Sequence, residues 1–284
     1  MIGVGSRVVR PARWSIGRGH GTARLHADLG QLGVPEGAIV LVHASLRKVA
    51  PVQGAPAAVA DALLEVLGPT GTLAVPTQTT WNSTTSRAFK ANTRGMSPEE
   101  IDAYKNSLPV FDPHTTPSYG MGRLAEYVRT LPGAVRSAHP HTSFAAVGPM
   151  AAELMRVHDL ESHLGDRSPL GALREHNALV LMLGTEYSTS TIFHLAEYTY
   201  TAQPLRTYEC RSSGDPDNPR AEPGGWKSFK DIDFVDNDFD RLGASFEAES
   251  GLVRLGLVGN ARSRLYPARA AVDFAVDWLR KNRS

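Results

Sequence analysis

The order of apolar segments predicts an α/β layered fold, and three observations carry that expectation. Two short, strongly apolar runs, "AIVLVHASL" and "TLAVPTQTT", bracket an amphipathic stretch, "PAAVADALLEVLGPTG". Strand, helix and strand in that order form a βαβ unit, the building block of layered α/β domains. A third apolar run, "ALVLMLG", returns after two more helical stretches and reads as a buried strand.

The elements follow in order. Residues 1 to 22 carry Arg7, Arg10, Arg13 and Arg18 and no acid, and read as a basic extension preceding a domain over 23–284. "TARLHADLGQLGVPEG" is an amphipathic helix closed by Gly33, with Pro35 just beyond. The first strand ends in small polar residues. The helix after it has Pro56 near its start and Gly68 just past its end. Residues 82 to 117 are polar and read as a long irregular excursion, a common place for binding loops. "GRLAEYVRTL" and "PMAAELMRVH" are helices on either side of a strand, "TSFAAVG". Residues 211 to 225 form a polar loop rich in Gly and Pro, and "DIDFVDNDFD" is an acidic segment. The end of the sequence reads as a turn-and-strand region followed by a long amphipathic helix.

Bulk properties narrow the function. A net charge of +1 over 284 residues gives no basic excess for a nucleic-acid footprint. No apolar run approaches a membrane span, and the first residues lack the apolar core of a secretory signal, so the expected location is the cytoplasm. The single cysteine, Cys210, excludes an internal disulfide and a multi-cysteine metal site.

The stretch "STSTIFHLAEY" holds the clearest chemistry. Its hydroxyl run favours a turn or a helix start. His194 and Glu197 then fall three residues apart on one face. Such a pair is a catalytic base with its orienting acid, half of a metal site, or an ordinary satisfied pair. Zinc sites usually need three or four protein ligands. His43, His139, His141 and His163 lie scattered along the chain without ligand spacing, so no metal is expected.

Several ordered blocks resemble the aminoglycoside 3-N-acetyltransferases, a family distinct from the GNAT fold. They are "LVHASL" with "ADALLEVLGPTGTLAVPT", then "FDPHTTPSYGMGRLAEYVRTLPGAVRSAHPHTSFAAVGPMA", then "SPLGALREHNALVLMLGTEYSTSTIFHLAEY", and finally "GLVGNARSRLYPARAAVDFAVDWL". The chain departs from the family pattern at "HASL", where two serines often follow the histidine. It departs again at "VQGAPAAV", where a Gly-Gly pair is common. The resemblance implies a single α/β domain with a central mixed sheet flanked by helices. It also implies transfer of an acetyl group from acetyl-CoA to a primary amine, typically the 3-amino group of a 2-deoxystreptamine ring. The family's His-x-Ala-Glu motif falls on His194, Ala196 and Glu197, which makes His194 the expected general base. Related readings are transfer to another amine in natural-product biosynthesis, or a CoA-binding protein without catalysis.

The chemistry assigns further candidates. An amine attacks a thioester only as the free base, and histidine titrates near neutrality. Ser45 and Thr77 follow strands, where α/β sheets commonly bind ligands, and suit the developing oxyanion. Leu46 and Arg47, with Lys48 beside them, are candidates for the CoA end of the site. Thr115, Ser118 and Arg123 in "TTPSYGMGR" are candidates for the pantetheine arm. Glu197, Asp231, Asp233 and Asp236 are candidate counter-charges for a cationic acceptor, the alternative for the aspartates being a solvated loop. Cys210 lies outside every matched block, so direct transfer is expected rather than an acetyl-enzyme. The expected partner is a small-molecule amine acceptor, with the protein a monomer or homodimer.

Overall fold

The computed structural model describes residues 20–49, 52, 54–199, 203–211 and 225–283. Residues 1–19 of the expected basic extension and 212–224 of the polar loop lie outside these. A seven-stranded mixed sheet is the backbone of the domain.

The chain opens with α1 (His20–Leu32), closed by Gly33 at φ 93°. Only glycine takes that backbone conformation readily. Strand β1 (Ile39–Ala44) leads into a one-turn helix, α2 (Leu46–Val49). Helix α3 (Ala57–Leu67) returns the chain to β2 (Thr72–Pro76), parallel to β1. Strand β5 (Leu179–Leu183) pairs in parallel on the other side of β1. Strands buried on both faces read as unbroken apolar runs. Accordingly, Val40, Val42, Leu73, Val75, Leu181 and Leu183 pack with α1 and α3 on one face. Leu41, Ala74, Val180 and Met182 pack on the opposite face.

The polar stretch read as irregular is corrected by the structure. It holds α4 (Arg87–Asn92) and α5 (Pro98–Ser107). Ser97 caps α5 in a reciprocal box with Glu100, the pattern a Ser-x-x-Glu spacing encodes. No residue of α5 is buried, which is why apolar periodicity gave no sign of it. Helix α6 (Arg123–Arg129) packs with α3. Strands β3 (Val135–Arg136) and β4 (Phe144–Val147) extend the sheet in antiparallel fashion beyond β2. Helix α7 is only Ala151–Met155, shorter than its sequence suggested, and α8 spans Pro169–Glu175. A one-turn α9 (His194–Glu197) follows β5.

Next comes a separate hairpin of β6 (Leu205–Arg211) and β7 (Trp226–Ile232). Its short, mostly polar strands gave no clear signal in the sequence. Helix α10 (Phe239–Ser250), the β8 (Arg254–Val258) and β9 (Ala261–Pro267) pair, and α11 (Ala268–Asn282) complete the fold. The last helix lies on the face opposite α1, α3 and α6.

Histidines that are scattered in the sequence meet beneath the hairpin. His139 and His141 come from the β3–β4 connection, and His158 and His163 from the α7–α8 connection. His139 and His163 pack at a tilt with ring centroids 4.7 Å apart, and His141 stacks on His163 at 5.4 Å. His141 Nε2 bonds the carbonyls of Asn82 (2.9 Å) and Glu209 (3.1 Å), tying β6 to the main body. His139 Nδ1 accepts the backbone N–H groups of His141 and Thr142. His158 Nε2 bonds the His163 carbonyl. The ring nitrogens that make these bonds are committed to holding the chain together.

Burial lowers the pKa of His43 to about 4 and of His141 and His158 to about 3. In the unfolded chain a histidine takes up its proton near 6.5. Below that pH the unfolded state therefore binds more protons than the folded one, and stability falls as pH drops from about 6.5, levelling off only once the folded-state values near 4 and 3 are passed. The urea midpoint is expected to be lower at pH 5 than at pH 7.5, with the loss beginning near pH 6.5. An unchanged or higher midpoint at pH 5 would contradict the neutral state of these rings.

Candidate active site

Strand β1 has β2 on one side and β5 on the other, both parallel to it. Connections therefore leave β1 and its neighbours in opposite directions, which opens a crevice at the strand C-termini. A cavity of about 810 Å³ lies there. Ser45, Leu46 and Arg47 line it from the end of β1, Arg123 from the start of α6, and His194 from α9. Phe234 and Asp236 line it from the segment between β7 and α10.

Local structure explains how His194 reaches this edge. Thr191–Phe193 form a 3-10 turn that runs straight into α9. Ile192, Phe193, Leu195 and Ala196 are buried, so the turn is anchored by its apolar members. Ser190 Oγ, also buried, bonds Tyr266 OH at 2.8 Å. Ser188 N donates to Asp240 Oδ1 at 2.6 Å. The hydroxyl run thus works as a turn, and His194 stands at the first position of the helix.

His194 Nδ1 and Glu197 Oε2 are 2.6 Å apart. A carboxylate accepts, so Nδ1 carries the hydrogen and Nε2 carries the lone pair. No protein group bonds Nε2 among the described residues. The ring lies edge-on to Phe234 (5.1 Å) and tilted against Phe239 (4.8 Å), and remains 14% exposed. Glu197 is completely buried. Its Oε1 accepts from Gln203 Nε2 (2.9 Å), Val235 N (3.1 Å) and Arg283 Nη1 (2.5 Å). Every oxygen of this carboxylate is engaged, so its placement as a contact for the acceptor is corrected: Glu197 orients the histidine and does not reach the cavity.

Five of the other candidates do not line the cavity. Thr77 is fully buried, its hydroxyl 3.1 Å from Arg136 Nε. Thr115 is exposed on the preceding loop. Ser118 gives both its N–H and its hydroxyl to Glu126 Oε2, at 2.8 Å each. Asp231 ends β7 with its side chain inside the protein, 4% exposed. Its Oδ2 accepts from His163 Nδ1 (2.7 Å), His163 N (2.9 Å) and Tyr198 OH (2.7 Å). Asp233 pairs with Arg206 at 3.0 Å.

The acidic run is therefore not one patch. Asp238 bonds Arg283, Asp240 caps the turn before His194, and Asp236 alone of the five lines the cavity, half exposed. A strand end, a loop and a helix start fall within ten residues there, so neighbours in sequence face different ways.

Residues that sequence reasoning did not single out also line the cavity, among them Phe234, Thr142 and Thr191. Thr191 Oγ1 lies 3.4 Å from Nε2 of His43, whose ring is buried beneath the site. Only the aromatics set within the acidic segment offered a signal, for Phe234. Cys210 is fully buried in the hairpin and burial raises its thiol to about 12, so it is no nucleophile at neutral pH.

The two walls of the cavity differ in charge. Arg47 and Arg123 come from the layer that carries α3 and α6, and neither is paired with a carboxylate among the described residues. His194 and Asp236 come from the layer of α9 to α11. An anionic and a cationic ligand can thus be received on opposite walls, with a histidine base on the acidic one.

A family model described as aminoglycoside 3-N-acetyltransferase matches residues 41–280. The chain is 37% identical over 262 residues to the SPbeta prophage-derived aminoglycoside N(3')-acetyltransferase-like protein YokD of Bacillus subtilis, covering 90% of this chain and 91% of that one. The crystal structure of YokD superposes with a TM-score of 0.84 over 92% of this chain and 94% of its own. Aminoglycoside N(3)-acetyltransferase IX of Micromonospora chalcea is 36% identical over 90% of this chain and 92% of its own. A solved AAC-IIIb binary complex with CoASH, 29% identical, superposes with a TM-score of 0.78 over 92% of this chain and 96% of that one.

Proposed function

Because the chain belongs to the aminoglycoside 3-N-acetyltransferase family, we propose that it transfers the acetyl group of acetyl-CoA to the 3-amino group of an aminoglycoside, with His194 as general base. The observation that carries this reading is the His194–Glu197 pair on the wall of a cavity whose arginines, without carboxylate partners among the described residues, lie opposite.

Acetyl-CoA supplies an acetyl group activated as a thioester. Arg47 and Arg123 are the residues suited to its phosphates, since both are cations at the cavity without a carboxylate partner among the described residues. Asp236 attracts the protonated amines of the acceptor. His194 Nε2 takes a proton from the attacking amine, and Glu197 stabilises the imidazolium that results. Ser45, just past the end of β1, donates to the oxyanion that forms as the carbonyl is attacked; its collapse breaks the C–S bond, and CoA leaves as the thiol with the proton that His194 had taken up. The buried thiol of Cys210 takes no part, so transfer is direct.

The test is release of CoA thiol with aminoglycosides and with neutral amino compounds as acceptors. Aminoglycosides are expected to be the good substrates, and Asp236→Asn to raise their KM without changing the KM for acetyl-CoA. If neutral amines alone were accepted, the aminoglycoside reading would fail.

A further inference from the structure

We infer that Arg283 is a positioning residue for acetyl transfer, clamping the carboxylate behind the catalytic histidine to the segment that forms the acceptor wall. This inference rests on His194 being the base.

The guanidinium lies just past α11 and is 11% exposed. It reaches Glu197 Oε1 with Nη1 at 2.5 Å. It grips Asp238 with a fork, Nη2 to Oδ1 at 2.6 Å and Nε to Oδ2 at 2.8 Å. Nη2 also donates to the Val235 carbonyl at 2.6 Å. The planar group lies 5.8 Å from the Phe239 ring, which itself touches His194. One side chain therefore joins α9, the 235–238 segment and the first residue of α10.

Two physical demands meet at this arginine. A fully buried carboxylate needs a counter-charge, and among the described residues Glu197 finds no other cation than Arg283 and the histidine it serves. Glu197 also has to hold a direction. Three donors fix Oε1, which leaves Oε2 one orientation, and that orientation sets the plane of the imidazole. A planar fork suits the task because it fixes geometry as well as charge.

Charge balance points the same way. Before proton uptake, Glu197, Asp238 and Arg283 together carry one net negative charge, and a proton on His194 neutralises the group. Loss of Arg283 leaves two carboxylates facing each other across the gap and frees the segment that carries Asp236. A lysine would restore the charge without the fork, and could face only one of the two acids closely.

The experiment compares full-length Arg283→Ala, Arg283→Lys, Glu197→Gln, the Glu197→Gln/Arg283→Ala double variant and His194→Ala in steady-state kinetics, after thermal melts show which are folded. Arg283→Ala is expected to lose roughly 10- to 100-fold in kcat, the scale of a slightly misplaced reacting group, with the KM for acetyl-CoA unchanged. Arg283→Lys is expected to fall between it and wild type. The double variant is expected to be no slower than Glu197→Gln alone, because both changes act through one carboxylate. Wild-type kcat in folded Arg283→Ala, or losses that multiply in the double variant, would overturn the inference. If Arg283→Ala does not fold, Arg283→Lys decides: a reduced kcat at unchanged acetyl-CoA KM supports the clamp, and wild-type kcat overturns it. His194→Ala separates the two levels. Full activity there removes the base and the clamp together, whereas an inactive His194→Ala beside an unimpaired Arg283→Ala removes the clamp alone.

Discussion

His194→Ala is expected to lower turnover by roughly 10²- to 10⁴-fold, the usual contribution of a positioned general base. The loss should fall on kcat. An aliphatic amine is mostly protonated at neutral pH, and without Nε2 no other imidazole among the described residues of this wall can receive its proton. His43, the other imidazole lining the cavity, is held neutral by burial and has its Nε2 turned toward Thr191. Binding of acetyl-CoA, measured by calorimetry, should be retained, because Arg47 and Arg123 belong to the opposite layer. A folded variant with wild-type rates of thiol release would show that the proton leaves by another route.

Asp231→Ala is expected to cost roughly 1–3 kcal/mol of stability for each buried donor it strands, since burial lowers the His163 pKa and the contact is a hydrogen bond from a neutral imidazole rather than an ion pair. Three donors converge on Oδ2, and all of them belong to residues that join the α7–α8 connection, α9 and the hairpin. Removal leaves the His163 ring and the Tyr198 hydroxyl without their acceptor inside the protein. The loss should appear as a lower urea midpoint. What folds should keep a normal KM for the acceptor, in contrast to Asp236→Asn. Wild-type stability together with a raised acceptor KM would mean that Asp231 faces the ligand after all.

These two aspartates show how far sequence reading carries. They lie five residues apart in one acidic run and were candidates for one role. The structure puts one at the end of a strand with its carboxylate inward and the other on the cavity wall. The difference follows from side-chain alternation along β7 and from where the strand stops, and the hairpin itself gave no clear signal. The helices α4 and α5 were missed for another reason. Their stability is local, from caps and a capping box, and the search was for apolar faces they scarcely have.

The sequence by itself determined the parts that depend on near neighbours. The βαβ start, the buried strands and the His194–Glu197 pair all rest on spacings of a few residues, and each is where periodicity put it. The family blocks are likewise read along the chain, and the family model matches over residues 41–280. Tertiary structure alone decided what those groups touch. Arg283 lies 86 residues from Glu197, and His163 lies 68 residues from Asp231. Such contacts are made by the path of the backbone through three layers, and a charge's partner inside a protein is set by that path rather than by its neighbours in sequence. The same fold buried Glu197 completely, so that its carboxylate meets the ring of His194 and not the cavity.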